Sequence, residues 1–334
     1  MVGYILRRSL LVVPVVWGAM TLLFLVFFIL PGDTVDQLVG EGKAVTPAVR
    51  ANIEAKLGLD QPWYVQYGRY WARVGQGDLG ESFQTNRSVN DVLESTAPAS
   101  VRLAFWAMVV EVAIGVTVGL VSAIKRYSFI DTLTTVSTTM LIAVPVFVLG
   151  YILQIMLGVY AFQHEFPEWA RFPVQGIGPN SWSFFLFPTN GQWRYLVLPV
   201  IALASVHTAV VARMTRTTML EVNRADYMRT AAAKGLTPRR IIFKHGLKNA
   251  MIPVVTLIGI DLATLIGSAI LTETVFNWPG VGSTIARALG AQDAPIVLGL
   301  SLVVVLAYVV INLIVDISYA FFDPRIRYGS EVTR

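Results

Sequence analysis

The stretch YMRTAAAKGLTPRR, residues 227–240, separates two long apolar segments and contains charged, helix-favouring and turn-forming residues. Its three consecutive alanines favour a helix, and the glycine and proline that follow favour a stop and a new start. Its four cationic side chains cannot pack in hydrocarbon, so the stretch must lie in water or at a membrane surface. The apolar segments around it decide the fold.

The composition is typical of a membrane protein. Of the 334 residues, 55% are hydrophobic and 14% are charged. A hydrocarbon core about 30 Å thick requires roughly 20 apolar residues of helix, and backbone amides in lipid must bond within their own segment. We therefore predict an all-α membrane protein, with residues 1–334 forming a single domain of six transmembrane helices. The segments that meet the length are 9–30, 101–123, 133–161, 195–212, 251–272 and 294–320.

The sequence lacks cysteine and a nucleotide-binding loop, and each absence excludes a class of chemistry. The chain has no cysteine, which excludes disulfides, thiol catalysis and cysteine-ligated metal. It has no GxxxxGK[ST] loop, which cradles nucleotide phosphates, so any ATP and its magnesium would be bound by a separate polypeptide. We therefore predict no cofactor in this chain and no catalytic residue.

The distribution of Lys and Arg predicts the orientation in the membrane. With the N terminus inside, sixteen of the 26 cations lie on one side. Most of the others belong to the outer loop 31–99 or lie beside it, and a loop of this length is largely exempt from the positive-inside rule. Both termini are therefore predicted to be cytoplasmic. The net charge of +5 needs no nucleic-acid partner, because the topology-fixing cations account for it.

The cytoplasmic loop 214–250 shows the pattern helix, break, helix. The first helix is predicted from about Glu221 to Lys234, and Gly235 supplies the left-handed residue that ends it. The Thr–Pro pair at 237–238 then supplies the cap and the first-turn proline of the second helix.

This ordered break suggests a docking element for a soluble cytoplasmic partner. A loop that only fixed topology would need a few cations and no such punctuation. The alanines 231–233 present almost no side chain, so another surface could approach the backbone closely. The alternative is a basic loop that lies on anionic lipid.

Three polar residues inside the predicted spans are candidates for a substrate pathway. Glu111 and Asp261 each lie near the middle of a span, where a carboxylate costs a few kcal/mol. They could pair with the ammonium group or basic side chains of a peptide, or instead form a hydrogen bond across a helix contact. His207 is the third candidate, although a histidine in such a place is more often a satisfied polar residue than a ligand. No second histidine or carboxylate lies three or four residues away, as a metal site on one helix would require.

The loop and its surroundings resemble a known family. YMRTAAAKGLTPRRIIFKHGLKNAMIPVV is similar to the coupling loop of ABC-importer permeases, and specifically to the B-type permease of dipeptide and oligopeptide importers. The resemblance also takes in YILRRSLLVVPVVWGAMTLLFL, LPGD, LGLDQPWYVQYGRYW, GDLGESF, TETVFNWPGVG and DPRIRYG. Each stretch falls at the expected place in a six-span chain, so the resemblance implies a type I ABC-importer permease fold.

The resemblance also implies which partners surround the chain. They are a second, C-type permease, two cytoplasmic ABC ATPases and an extracytoplasmic substrate-binding protein, in the lipid of a bacterial or archaeal plasma membrane. In such importers the coupling loop forms a short helix in a cleft of the ATPase. The general family pattern has Glu where this chain has Arg229, so a role that needs a carboxylate there does not carry over. The matching positions here are Arg229, Thr230, Ala231, Ala232, Lys234, Gly235 and Leu236.

Two other classes of function remain open. An ion-coupled carrier would use Glu111 and Asp261 as proton sites. An intramembrane hydrolase would use Ser205, His207 and an Asp, but residues two apart face different sides of a helix. Within the resembled family the cargo also stays open, since related importers carry nickel complexes, glutathione or haem as well as peptides.

Overall fold

The structure is a computed structural model, and it describes residues 2–28, 60–178, 182–184, 186–188 and 191–322. The first part of the predicted outer loop, 31–59, and the residues after 322 lie outside these ranges. The described residues are mostly helical, and they include a short antiparallel pair, β1 (Trp182–Phe184) and β2 (Phe187–Pro188). The main helices are α1 (Val2–Phe28), α2 (Trp63–Val74), α3 (Val89–Ile124), α4 (Phe129–Ala143), α5 (Val146–Leu153), α6 (Gln192–Val222), α7 (Asp226–Ala233), α8 (Lys248–Val275), α9 (Val281–Gly290) and α10 (Ala294–Phe322).

Six helical stretches of the described residues are long and apolar enough to cross a membrane. The prediction of an all-α protein with six transmembrane helices is therefore confirmed. Several stretches extend beyond the predicted segments, because turns of helix with polar residues continue past the apolar core. The six stretches are Arg8–Phe27, Val89–Ile124, Val146–Gln163, Gln192–Val222, Pro238–Val275 and Ala294–Ser318.

The third predicted segment, 133–161, is not one helix in the structure. α4 ends at Ala143, Val144 is extended with φ −91° and ψ 123°, and α5 begins after Pro145. Pro145 has no N–H to donate, and the residue before a proline avoids the helical region. An apolar run that is continuous in the sequence therefore folds as two helices. The second helix continues through a π-helical turn at Gln154–Tyr160.

The chain divides into two compact units. One unit consists of Met1–Pro98 and Gly280–Leu313, and the other consists of Ala99–Pro279 and Ile314–Arg334. Two long helices, α3 and α10, contribute residues to both units. The predicted coupling loop and the three candidate pathway residues all belong to the second unit.

The first unit has an apolar core to which α1, α2 and α10 contribute Met20, Tyr70 and Leu302, all buried. A buried polar contact joins the segment before α3 to the residue before α10. The Ser82 hydroxyl donates to Asp293 Oδ2 at 2.5 Å, and the carboxylate also accepts a backbone N–H at 3.0 Å. Both carboxylate oxygens of this buried aspartate are thereby satisfied.

The second unit is built around α6, which contacts α4, α5 and α8. α3 also approaches α6 closely, and two glycines allow it. A Cβ placed on Gly115 would lie 2.8 Å from Val211, and one placed on Gly119 would lie 2.7 Å from Thr215. Real Cβ contacts are longer than this, so a larger residue at either position would push the helices apart. Because of this approach, side chains in the middle of α3, α6 and α8 can meet.

Candidate functional site

The first half of the predicted coupling loop ends in a defined helix stop after α7. Gly235 has φ +73°, the left-handed conformation that the sequence predicted. Its N–H donates to the Ala232 carbonyl at 3.0 Å, and the Leu236 N–H donates to the Ala231 carbonyl at 3.4 Å. These two bonds form a Schellman motif, which satisfies carbonyls that the end of the helix leaves free. The turn after α7 is therefore fixed by hydrogen bonds.

The helix before this stop begins later than predicted. The sequence suggested one helix from about Glu221, but α6 continues to Val222 and α7 begins at Asp226. Ala225 between them is extended, with φ −69° and ψ 145°. The signal that could have located this start is Asp226, since an acidic residue in the first turn is stabilised by the helix dipole.

The two faces of α7 differ in exposure. Met228 and Ala231 are buried, with 6% and 7% of their surface exposed. A Cβ placed on Gly246 would lie 2.6 Å from the Met219 methyl group and 3.3 Å from that of Met228, so α7 rests closely on its neighbours. The alanines 231–233 therefore do not form a single exposed surface. Ala231 faces inward, whereas Ala232 faces outward. The remaining coupling positions are exposed except for the half-buried Leu236; the exposed ones are Arg229, Thr230, Ala232, Lys234 and Gly235.

The second half of the loop runs without interruption into the fifth candidate span. Thr237 is extended and Pro238 takes the first helical position, as predicted, although the Thr237 side chain makes no capping hydrogen bond. A π-helical turn at Ile241–Leu247 then leads into α8. The whole of Pro238–Val275 is one helical stretch of 38 residues. The second half of the loop and the middle of the fifth span therefore belong to one continuous helix.

Glu111, His207 and Asp261 lie together in the second unit, although they are far apart in the sequence. They come from α3, α6 and α8 and lie near the middle of their helices. His207 Nδ1 is 3.5 Å from Asp261 Oδ1. One potential ligand atom from each of the three residues lies within 4.8 Å of the other two. We call this cluster the buried triad.

The buried triad lacks the hydrogen bonds that buried carboxylates usually have. Glu111 is fully buried, and neither of its carboxylate oxygens has a hydrogen-bond partner among the described residues. The same is true of Asp261 Oδ2. A buried carboxylate without a partner is destabilising, so the cluster calls for a proton, a water or a cation. Several residues one helical turn away are apolar: Ala107, Leu203, Val211, Ile258 and Leu265.

The structure changes the assessment of His207. No ligand lies near it along its own helix, but α3 and α8 each bring a carboxylate to it, which no spacing within one helix could reveal. The hydrolase hypothesis gains no such support. The Ser205 hydroxyl donates to the Ala202 carbonyl of its own helix at 2.7 Å, and the described residues contain no hydrogen bond between Ser205 and His207.

Sequence reasoning missed a second buried polar cluster on α6. Arg216 donates to both oxygens of Asp131 in α4, at 2.6 and 2.9 Å. The Ser122 hydroxyl and the Tyr127 N–H donate to the same carboxylate at 2.5 and 2.9 Å. The Arg216 guanidinium, helped by these donors, holds the pKa of Asp131 well below its usual range despite the opposing effect of burial. By sequence alone, Arg216 is one of the sixteen cations that fix topology.

Comparison with known proteins shows the family. Residues 115–328 match the family of binding-protein-dependent transport system inner membrane components. The chain belongs to this family. Residues 1–104 match the N-terminal part of such membrane components. The resemblance to importer permeases is thus confirmed, and the permease is a multi-pass membrane component of a binding-protein-dependent transport system.

Several relatives of the permease match it over nearly its whole length. It is 38% identical over 340 residues to the dipeptide transport system permease protein DppB of Alkalihalophilus pseudofirmus, with 98% of this chain and 100% of that protein covered. It is 38% identical over 344 residues to the di/tripeptide transport system permease protein DppB of Pseudomonas aeruginosa, with 98% and 99% covered. It is 37% identical over 346 residues to the dipeptide transport system permease protein DppB of Escherichia coli K12, again with 98% and 99% covered. The similarity therefore covers the predicted coupling loop, 214–250, as well as the spans.

Proposed function

We propose that this permease forms half of the translocation pathway of an ATP-driven importer for dipeptides or oligopeptides. The observation that carries the proposal is its 37–38% identity, over 98% of the chain, to permeases named for dipeptides or di/tripeptides. A fold alone does not identify a cargo, so the argument rests on this full-length similarity to named relatives.

The permease would work in a complex. A second, C-type permease would complete the pathway, two cytoplasmic ABC ATPases would hold ATP and magnesium, and an extracytoplasmic binding protein would deliver the peptide. The positive-inside rule places α7 and both termini on the cytoplasmic side of a bacterial or archaeal plasma membrane. In this orientation the exposed coupling residues face the compartment that contains ATP.

The coupling loop has the properties of a docking element. The outward face of α7 is small and exposed, while its inward face is fixed by Met228 and Ala231. The Schellman motif at Gly235 fixes the turn that follows α7. Further along the same loop, Arg239, Arg240 and Lys244 help to line an open depression of about 450 Å³, which suits an acidic partner surface. A fixed element transmits force better than a flexible one, because little motion is lost within it.

Closure of the ATPases would drive transport by favouring one state of the pathway. To move a two-state equilibrium from 1:99 to 99:1, closure must favour one state by about 5.5 kcal/mol. The continuous helix Pro238–Val275 gives a direct covalent route from the loop to Asp261. We assign Glu111, His207 and Asp261 to the pathway. The side chains of His207 and Asp261 remain 14% and 13% exposed, so the cluster is open on their side.

The test uses the complete complex in proteoliposomes, with a labelled dipeptide, the binding protein outside and ATP inside. Ala232→Trp adds bulk to the outward face of α7 without changing its buried face. We expect dipeptide uptake and substrate-stimulated ATP hydrolysis to fall at least tenfold, about 1.4 kcal/mol of lost coupling. The thermal unfolding midpoint should not change. Ala291→Trp, at an exposed alanine outside the loop, is the matched control and should transport normally.

Normal coupling in Ala232→Trp would contradict the docking role of α7. The ion-coupled alternative makes the opposite prediction for energy supply. Uptake that persists without ATP and collapses when a protonophore removes the proton gradient would favour the carrier and overturn the proposed importer.

A further inference from the structure

We propose that Glu111, His207 and Asp261 form a binding site for one divalent transition-metal ion of the zinc type. The site joins α3, α6 and α8, and it does not depend on which cargo the permease carries. It would add a function to the second unit that neither the family nor the named relatives specify. Three observations carry the proposal: geometry, charge and surroundings.

The geometry comes close to that of a coordinated ion. With ligand bonds of about 2.1 Å, neighbouring ligand atoms of a tetrahedral site lie about 3.4 Å apart. His207 Nδ1 and Asp261 Oδ1 are already 3.5 Å apart. No pair of the three potential ligand atoms is more than 4.8 Å apart. Side-chain rotations that move these atoms by roughly 1 Å would bring them to coordination distances.

The charges of the triad also fit a divalent ion. With both carboxyl groups ionised and the imidazole acting as a neutral ligand, the triad would carry a charge of −2, which one divalent cation would neutralise. Elsewhere in the second unit, buried carboxylates have donors: Arg216 and Ser122 donate to Asp131, and Ser100 donates to Glu273 at 2.6 Å. Both Glu111 oxygens and Asp261 Oδ2 accept no hydrogen bond from a donor group of the described residues. The Glu111 and Asp261 carboxyl groups lie within hydrogen-bonding reach of each other, so a proton shared between them would be displaced when a divalent ion binds.

The donor set selects the kind of metal. One imidazole nitrogen and two carboxylate oxygens suit zinc and its neighbours in the transition series, whereas calcium requires six to eight oxygens and magnesium keeps most of its waters. Three protein ligands leave a fourth position open, as in zinc sites that bind water or substrate. The apolar residues one turn away, including Leu203 and Val211, would hold water off the rest of the site. The partial exposure of His207 and Asp261 provides a route for the ion.

The test uses the full chain without a histidine tag, in nanodiscs, after removal of metals with a chelator. Zinc is added, the excess is removed, and bound zinc is measured by elemental analysis against empty nanodiscs. We expect one zinc per chain and a rise of at least about 3 °C in the unfolding midpoint, because an ion that binds only the folded state stabilises it. Cobalt should give a visible absorption spectrum typical of tetrahedral nitrogen and oxygen ligands. Magnesium should neither remain bound after the excess is removed nor raise the unfolding midpoint.

The chain offers matched controls, because it has three histidines and no cysteine. His207→Gln and Glu111→Gln should each weaken zinc binding at least tenfold and remove the midpoint shift. The double variant His164→Gln/His245→Gln removes the other two histidines and should keep the site. The cobalt spectrum of the unmodified chain tests the proposal even if a triad variant fails to fold.

Two results would overturn the proposal. One is the absence of stoichiometric zinc and of the cobalt spectrum in the unmodified chain. The other is zinc binding that survives in His207→Gln but disappears in His164→Gln/His245→Gln, since the ion would then bind surface histidines. Neither result would affect the proposed importer function, which is measured by dipeptide uptake.

Discussion

Two buried polar clusters share the helix α6, and they are built in opposite ways. At Arg216 the helix meets Asp131, and this carboxylate accepts four hydrogen bonds, three from two side chains and one from a backbone N–H. At His207, nine residues earlier, the helix meets Glu111 and Asp261, where three of the four carboxylate oxygens have no partner among the described residues.

The difference separates a structural contact from a candidate site. A buried ion pair with complete hydrogen bonding holds helices in register, and its groups have little capacity left for anything else. A cluster with free acceptor oxygens is unfavourable by itself and becomes favourable when something binds. Stability measurements on the two clusters should therefore move in opposite directions, and this gives three ways to test the comparison.

The largest effect is expected for Asp131→Asn. The change would leave the Arg216 guanidinium without its counter-charge while most of its side chain is covered. We expect the free energy of unfolding to fall by about 3 kcal/mol, measured by thermal unfolding in nanodiscs. The double variant Asp131→Leu/Arg216→Met removes both charges. Its free energy of unfolding should fall by less than that of the single variant. If the double variant loses more, the pair is not the source of the effect.

A smaller effect of opposite sign is expected for Glu111→Gln in the absence of metal. The change removes a buried carboxylate that has no donor, so the free energy of unfolding should stay the same or rise by about 1 kcal/mol. Added zinc should reverse the order, because only the unmodified chain is stabilised by it. A loss of about 2 kcal/mol or more without metal would mean that Glu111 is a structural residue like Asp131, and the comparison would fail.

The smallest effect is expected from pH between 5 and 8. The pKa of Asp131 is lower in the folded chain than the value of about 3.9 typical of an unfolded one. Its contribution to stability is therefore complete above that value and is lost only as the pH falls below it. The difference in unfolding midpoint between the unmodified chain and Asp131→Asn should be constant from pH 8 to pH 5. A difference that shrinks within this range would show that the carboxylate titrates near neutrality.

The sequence predicted those features that depend on neighbours along the chain. Apolar length gave the six spans, and the glycine after an alanine-rich helix gave the left-handed stop at Gly235. The divided helix at Pro145 and the late start at Asp226 were also present as local signals, a proline and an acidic first-turn residue. They were outweighed by the apolar run around Pro145 and by the helix-favouring residues before Asp226.

The sequence could not predict features that depend on which helices touch. Glu111, His207 and Asp261 were each recognised as candidates, but their meeting depends on the close approach of α3 to α6 at Gly115 and Gly119. The sequence shows only the charge of Arg216, whereas its structural role depends on the carboxylate of Asp131 in α4. Pair spacing along one helix carries no information about either contact.

The π-helical turn at Ile241–Leu247 determines the rotational phase of everything that follows it. A π turn contains one residue more than the α-helix it replaces, and each residue turns an α-helix by about 100°. If the same seven residues wound as regular α-helix, Asp261 would swing about a quarter of a circle away from His207, although the loop itself would be unchanged. The rotation of the fifth span about its own axis thus depends on a seven-residue π-helical turn that lies outside the buried triad.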